Sequence, residues 1–238
     1  MARLGLDQPA DVPAVRLRLG GEQDPDWMTR HHMNVARARE GGIDLYLAGD
    51  SLTDLWCERF GPHFEKTFGR WRTANFAISG DRTEHVLWRL ENGELEGVKP
   101  RAVMLCIGTN NLPSLQGIYA AKTPEEVASG VRAILAIFAR EQSQAKVLLV
   151  GPPPREDRLE AAPPAVKEDL NPKLRELHGL LRPMADGVRV KFVEFFDRYL
   201  DERGRLNDGM LFDRLHPDVG GYDVWAQAIL PTLNDWLR

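Results

Sequence analysis

With 238 residues, 43% hydrophobic and 28% charged, the chain has the length and balance of one α/β domain with a substantial core, as in ordinary globular proteins. A formal charge of -4, a pI near 5.9 and no block of Lys or Arg exclude the electrostatic footprint of a nucleic-acid binder. No apolar run is long enough to span a bilayer and the N-terminus lacks a signal-peptide core, so the expected location is cytoplasmic, without stable membrane association. The two cysteines, Cys57 and Cys106, do not make a disulfide framework.

Residues 1–24 show no sustained period and read as an N-terminal extension, or an arm packed on a single domain spanning 25–238. Asp24-Pro25-Asp26 predicts a helix start, followed by Trp27, Met28, His31, Val35 and Ala38 at helical spacing up to Gly41-Gly42. The adjacent His31 and His32 point in different directions on a helix and have no acidic or thiol partner at ligand spacing. They read as packed or exposed side chains, and no metal site is expected. Ile43 to Leu47 is a short apolar strand, and Gly49-Asp50-Ser51-Leu52 follows at a strand-to-helix turn. Free backbone N–H groups at such a turn can stabilise negative charge beside a serine hydroxyl, although Gly-Asp-Ser is also ordinary turn and capping chemistry.

Thr53 to Phe68 predicts helix with a break at Gly61-Pro62, and Arg72 to Ile78 a second strand. That strand runs into Ser79-Gly80-Asp81-Arg82-Thr83 and a helix carrying His85, Val86, Trp88 and Leu90. His85 reads as a packed or hydrogen-bonded support, and Asp50 and Asp54 as capping or loop residues. Ala102 to Ile107 is the third strand, ending in Gly108-Thr109-Asn110-Asn111. Thr123-Pro124-Glu125-Glu126 carries the N-cap, first-turn proline and capping-box glutamate of a helix whose apolar face is Val127, Val131, Ile134, Leu135 and Phe138. Ala145 to Val150 is the fourth strand, followed by a proline-rich loop, a helix with Leu174, Leu177, Leu180 and Leu181, and a fifth strand at Val188 to Phe195. The last helix, Gly221 to Leu237, should be kinked or divided by Pro231. Strands alternating with helices imply right-handed crossovers and a parallel sheet covered on both faces, with a functional crevice at the carboxyl ends of the strands, where Ser51, Gly80 and Asn110 fall.

A nucleophilic serine needs a base and an orienting acid, which Asp213-Arg214-Leu215-His216 can supply, although Asp213 could equally cap a turn and His216 be an exposed loop residue. Four blocks occur in order: Gly49 to Leu52, Asn75 to Asp81 with Arg82 to Leu90 behind it, Gly108 to Asn111, and Asp213 to His216. Together they resemble the SGNH (GDSL-type) hydrolases, in particular platelet-activating-factor acetylhydrolase catalytic subunits and their bacterial relatives, over about residues 43 to 233. The resemblance implies a flavodoxin-like three-layer α/β/α sandwich with a five-stranded parallel sheet and no cofactor. It implies Ser51 as nucleophile, His216 as general base then acid, and Asp213 as its partner. The oxyanion would lie among the N–H groups of Ser51 and Gly80 and the Asn110 amide, and Leu52, Thr109 and Leu215 would wall a small acyl pocket. The expected activity is hydrolysis of short-chain acetyl O-esters, first of carbohydrates, alternatively of acetyl-phospholipids. A homo-oligomer is implied as well, and a non-catalytic binding module on the same fold is the competing reading.

Overall fold

The computed structural model describes residues 8–114, 118–156 and 169–238; residues 1–7 of the expected extension and most of the proline-rich loop lie outside them. Helix α1 (Pro25–Glu40) leads into β1 (Leu45–Gly49), α2 (Ser51–Glu58), α3 (Gly61–Phe68) and β2 (Thr73–Asn75). Then come α4 (Thr83–Arg89) with a π-helical turn (Leu90–Glu94), β3 (Ala102–Cys106), α5 (Pro124–Glu141) and β4 (Lys146–Val150). The chain closes with α6 (Asn171–Leu181), β5 (Val190–Val193) and α7 (Val219–Trp236), with single 3-10 turns after α6 and β5.

The five strands form one sheet in the order β2-β1-β3-β4-β5, with every pairing parallel. Alternation along each central strand divides the core in two, because successive side chains point to opposite faces. Tyr46, Ala48, Val103, Leu105, Val147 and Leu149 meet α1, α4, α5 and α6, while Leu45, Leu47, Met104, Cys106, Leu148 and Val150 meet α2, α3 and α7. The result is the three-layer α/β/α arrangement expected. Both faces being covered explains why the strands read as unbroken apolar runs.

Local chemistry fixes the element ends. Asp24 caps α1 by accepting from the N–H groups of Asp26 and Trp27, and Thr123 and Glu126 bond reciprocally at the start of α5. The second strand is shorter than Arg72 to Ile78. The Asn75 side chain accepts from the N–H of Ala77 and donates to the carbonyl of Thr53, turning the strand although Phe76 and Ile78 still donate to Leu47 and Gly49 of β1. The fifth strand is trimmed to Val190–Val193, and the helix foreseen from Thr53 begins at Ser51.

Pro231 does not divide the last helix, which is continuous from Val219 to Trp236. An internal proline costs about 3 kcal/mol. Tyr222, Trp225 and Ile229 before it and Leu233 and Trp236 after it are all buried, and at roughly 1.5–3 kcal/mol for each large apolar side chain their burial outweighs that cost.

Residues 8–24 contact α4, α5, Tyr119 and the turn after β2. The Ala10 carbonyl accepts from Thr83 Oγ1 at 2.7 Å and would sit 2.4 Å from a Cβ at Gly130, so the arm needs a bare backbone on α5 to dock. The Ala14 N–H donates to the Glu84 carbonyl, and the Leu17 N–H donates to the Tyr119 hydroxyl at 2.7 Å.

Candidate active site

Ser51 is the first residue of α2, and the Asp50 before it is the N-cap, its Oδ1 accepting from the Leu52 N–H at 3.0 Å. Capping pins the turn that lifts the serine beyond β1. Asp50 is fully buried and its Oδ2 has no partner among the described residues, so burial pushes its carboxyl up to about 7. The His216 Nε2 lies 2.9 Å from Ser51 Oγ, across 165 residues of chain, and its Nδ1 lies 2.6 Å from Asp213 Oδ2. A carboxylate only accepts, so Nδ1 carries the proton and Nε2 is left to accept from the serine hydroxyl.

The loop that carries this pair is shaped by its own backbone. Asp213 Oδ1 accepts from the N–H groups of Leu215 at 3.1 Å and His216 at 2.8 Å, while Arg214 adopts φ 69°, the left-handed geometry that lets the loop fold back. Burial works against the Asp213 charge, but the bonds from His216 and Leu215 and the His216 ring beside it hold the carboxyl below its usual range. Phe212 stacks on the His216 ring at 5.7 Å, and the Arg59 guanidinium covers the other ring at 4.2 Å from the Phe212 centroid. These contacts limit the rotation of the imidazole.

The opposite wall is formed by the turns after β2 and β3. The Ser79 N–H and hydroxyl both donate to Asp54 Oδ2, at 3.0 and 2.7 Å, one turn along α2 from Ser51. Gly80 has φ +83°, a conformation that side chains with a Cβ rarely adopt, and an added Cβ would strike the Arg16 guanidinium. Asn110 donates from Nδ2 to the Asp81 carbonyl at 3.0 Å, which ties the β3 turn to the β2 turn and leaves a second amide hydrogen to donate. Ser51 and Asn110 are 6% and 7% exposed, enough for an approaching atom while excluding bulk water.

Behind Gly80 lies a buried ionic cluster that the sequence did not announce. Asp81 accepts from Trp27 Nε1 at 2.7 Å and Arg89 Nε at 2.8 Å; Arg89 also donates to the Phe76 carbonyl and pairs with Glu94, which His31 and Asn34 contact. Burial raises Asp81 to about 6 against the pull of Arg89. Burial also opposes ionisation of Glu94, but Arg89, with the bonds from His31 and Asn34, holds it below the usual carboxylate range. His85 is buried as expected: its Nδ1 accepts from the Arg82 N–H, and burial with Arg82, Arg16 and Arg89 around it keeps the ring neutral. His31 is packed and His32 exposed.

Of the three residues expected to wall an acyl pocket, Leu52 is 1% exposed within the layer against α7, Thr109 is 1% exposed, and Leu215 is half-buried on the loop before His216. The Thr109 carbonyl and hydroxyl each accept from Arg155 Nη1 at 2.9 Å. Arg155 follows β4 in a proline-rich turn, where nothing in the sequence pattern singled it out.

This arrangement can move a proton from a hydroxyl to an imidazole and can hold a charge on oxygen near Gly80 and Asn110, which is the chemistry of acyl transfer. Residues 47–224 match the model of the GDSL-like Lipase/Acylhydrolase family. The chain is 32% identical over 224 residues to platelet-activating factor acetylhydrolase IB subunit alpha2 of Rattus norvegicus, covering 92% of this chain and 87% of the relative. It is also 32% identical to the alpha1 subunit of Homo sapiens, covering 94% and 89%. These alignments reach beyond residues 43 to 233, so part of what was read as lying outside the similarity belongs to it.

Among solved structures, a GDSL-like lipase of Bacteroides thetaiotaomicron superposes with a TM-score of 0.68 at 20% identity, over 87% of this chain and 97% of that one. A variant of an acetyl-xylooligosaccharide esterase from Geobacillus superposes with a TM-score of 0.58 at 18% identity, over 80% and 94%. Both share the fold, and among the described residues no helix is long and apolar enough to cross a membrane. The chain belongs to the GDSL-like lipase/acylhydrolase family and is a carboxylic ester hydrolase.

Proposed function

We propose that the protein hydrolyses short-chain O-esters, acetyl esters first, through an acyl intermediate on Ser51. The observation that carries this reading is the unbroken chain from Asp213 through His216 to Ser51 Oγ. As Oγ attacks the ester carbonyl, His216 Nε2 takes its proton, and the carbonyl oxygen gains a charge beside the N–H groups of Ser51 and Gly80 and the Asn110 amide. Collapse breaks the bond to the alcohol, which leaves with the proton from His216. Water then attacks the acyl group with His216 again as base, releasing the acid and restoring the serine. Asp213 holds the imidazole in the tautomer that both steps use. An uncharged Asn amide stabilises the oxyanion without retaining the product carboxylate.

Thr109, fixed by Arg155, and Leu215, with Leu52 beneath the serine turn, form the proposed acyl wall. A rigid wall favours acetyl, since an apolar pocket discriminates by roughly 1–3 kcal/mol per added methylene. An O-acetylated carbohydrate is the first choice of substrate. An acetyl-phospholipid is the second reading, favoured by the 32% identity to platelet-activating factor acetylhydrolase subunits. The test is hydrolysis of p-nitrophenyl acetate and p-nitrophenyl butyrate by wild type and Ser51→Ala. Acetate turnover at least tenfold above butyrate, abolished by the substitution, is expected; a mutant with wild-type turnover removes Ser51 from the role.

A further inference from the structure

We propose that Arg16, carried by the N-terminal arm, is a specificity-determining residue that takes an anionic oxygen group on the alcohol portion of the ester. The inference rests on the ester-hydrolase reading of the Ser51 site and adds to it the charge of the substrate.

Arg16 lies flat on the residue proposed to hold the oxyanion. Its Nη1 donates to the Ser79 carbonyl at 2.5 Å, and a Cβ at Gly80 would meet Nη1 at 2.9 Å, with Cζ and Nη2 each at 3.1 Å. The arm fixes this placement on both sides: Leu17 donates its N–H to the Tyr119 hydroxyl, and the Asp24 N–H donates to the Arg16 carbonyl. Through-space effects of the same guanidinium reach Asp81, His85 and Tyr119, which surround the β2 turn.

Its charge is incompletely matched. Asp54 is paired directly with Arg30 and Asp81 with Arg89, so Asp81 reaches Arg16 only through space. Asp24 stands 3.4 Å from the Arg16 Nε, but it also lies 3.3 Å from Arg18 and accepts two N–H groups at the start of α1. The Arg16 Nη2 has no hydrogen-bond partner among the described residues, and the side chain is 30% exposed. A guanidinium whose Nε and Nη1 are engaged retains an open edge suited to a carboxylate or phosphate oxygen.

The contacts at the strand ends separate that edge from the proposed acyl wall. The site turns follow β2, β1, β3 and β4 in spatial order, carrying Gly80, Ser51, Asn110 with Thr109, and Arg155 respectively. The acyl wall proposed at Thr109 is tied to Arg155 after β4, whereas Arg16 lies against Gly80, on an arm that also reaches Tyr119 and α5. An acyl group held at Thr109 leaves the alcohol portion to meet the guanidinium over Gly80. A sugar carboxylate and a lipid phosphate present the same anionic chemistry there.

The experiment compares 4-acetoxybenzoate with its methyl ester, which differ in charge and not in the reacting acetyl group. In Arg16→Met the ratio of kcat/KM for the acid to that for the methyl ester should fall about tenfold, mainly through KM, and Arg16→Lys should restore part of it. In wild type the same ratio should fall as sodium chloride is raised, a readout that stands if Arg16→Met does not fold. A ratio unchanged by substitution or by salt, whatever happens to the two rates separately, overturns the assignment and leaves Arg16 as a brace for the Ser79–Gly80 turn. Turnover of the methyl ester by wild type and its loss in Ser51→Ala report on the esterase reading independently. An O-acetylated sialic acid and a short-chain 2-acetyl glycerophospholipid, assayed as monomers, then distinguish the two sources of charge. Faster turnover of a neutral acetylated xylo-oligosaccharide than of either contradicts the proposal.

Discussion

The two walls of the site are built in opposite ways. The wall proposed to handle the proton is a loop near the C-terminus: the Asp213 side chain is 43% exposed, and its shape depends on two backbone hydrogen bonds and a left-handed Arg214. The wall proposed to face the developing charge is set against the Asp81, Arg89 and Glu94 cluster, in which no side chain is more than 1% exposed. Donors for an oxyanion act best when they need not reorganise, whereas an imidazole must gain and lose a proton in each half-reaction. On the proposed roles, rigidity is concentrated where charge appears and release where protons move.

The largest expected effect falls on the proton-handling wall. His216→Ala should lower kcat/KM for p-nitrophenyl acetate by about 10⁴-fold or more, and Asp213→Asn by less, because the Asn oxygen still accepts from the two backbone N–H groups that shape the loop and water can reach the half-exposed imidazole partner position. Equal losses would contradict the difference between an obligatory base and a half-exposed orienting group. On the other wall, Asn110→Ala should cost about 10²- to 10³-fold in kcat with little change in KM, since that donor acts on the transition state. A loss confined to KM would instead make Asn110 a ground-state contact.

Arg89→Met probes the cluster itself. Removing one partner leaves Asp81 and Glu94 as buried uncompensated charges, so unfolding in urea should show a loss of roughly 3–5 kcal/mol, with activity falling alongside as the Gly80 turn loosens. A variant as stable as wild type would deny the cluster its bracing role. The smallest effect concerns Asp50. Its carboxyl, raised to about 7 by burial, binds its proton more tightly when folded than unfolded, so its contribution to stability falls as pH rises from about 4 to about 7. Asp50→Asn cannot ionise, and the stability lost by wild type between pH 5 and 8 should shrink by on the order of 2 kcal/mol. Parallel pH profiles for the two proteins would place the unpaired oxygen elsewhere than in an apolar environment.

Legibility in the sequence followed the range of the interactions. β1, β3 and β4 were apparent as apolar runs between turns, and α5 announced itself through Thr123 and Glu126, because these signals lie within a few residues. Ser51, Gly80, Asn110, Asp213 and His216 stood out because each occupies a short block at a strand or loop end. The Arg89 cluster did not: charged residues on a helix read as solvated, and only the fold shows that Asp81, Glu94 and Trp27 converge on that guanidinium. Arg16 was equally silent, since its contact with Ser79 spans 63 residues and the arm has no periodicity. Pro231 misled for the converse reason, a local rule overridden by burial on both sides.

Covalent trapping of the nucleophile addresses the central claim most directly. After incubation with diisopropyl fluorophosphate and mapping of the modified peptide by mass spectrometry, one adduct is expected, on Ser51, formed in step with loss of esterase activity and greatly slowed in His216→Ala. Activity lost with the label elsewhere, or Ser51 fully labelled with activity intact, would contradict it.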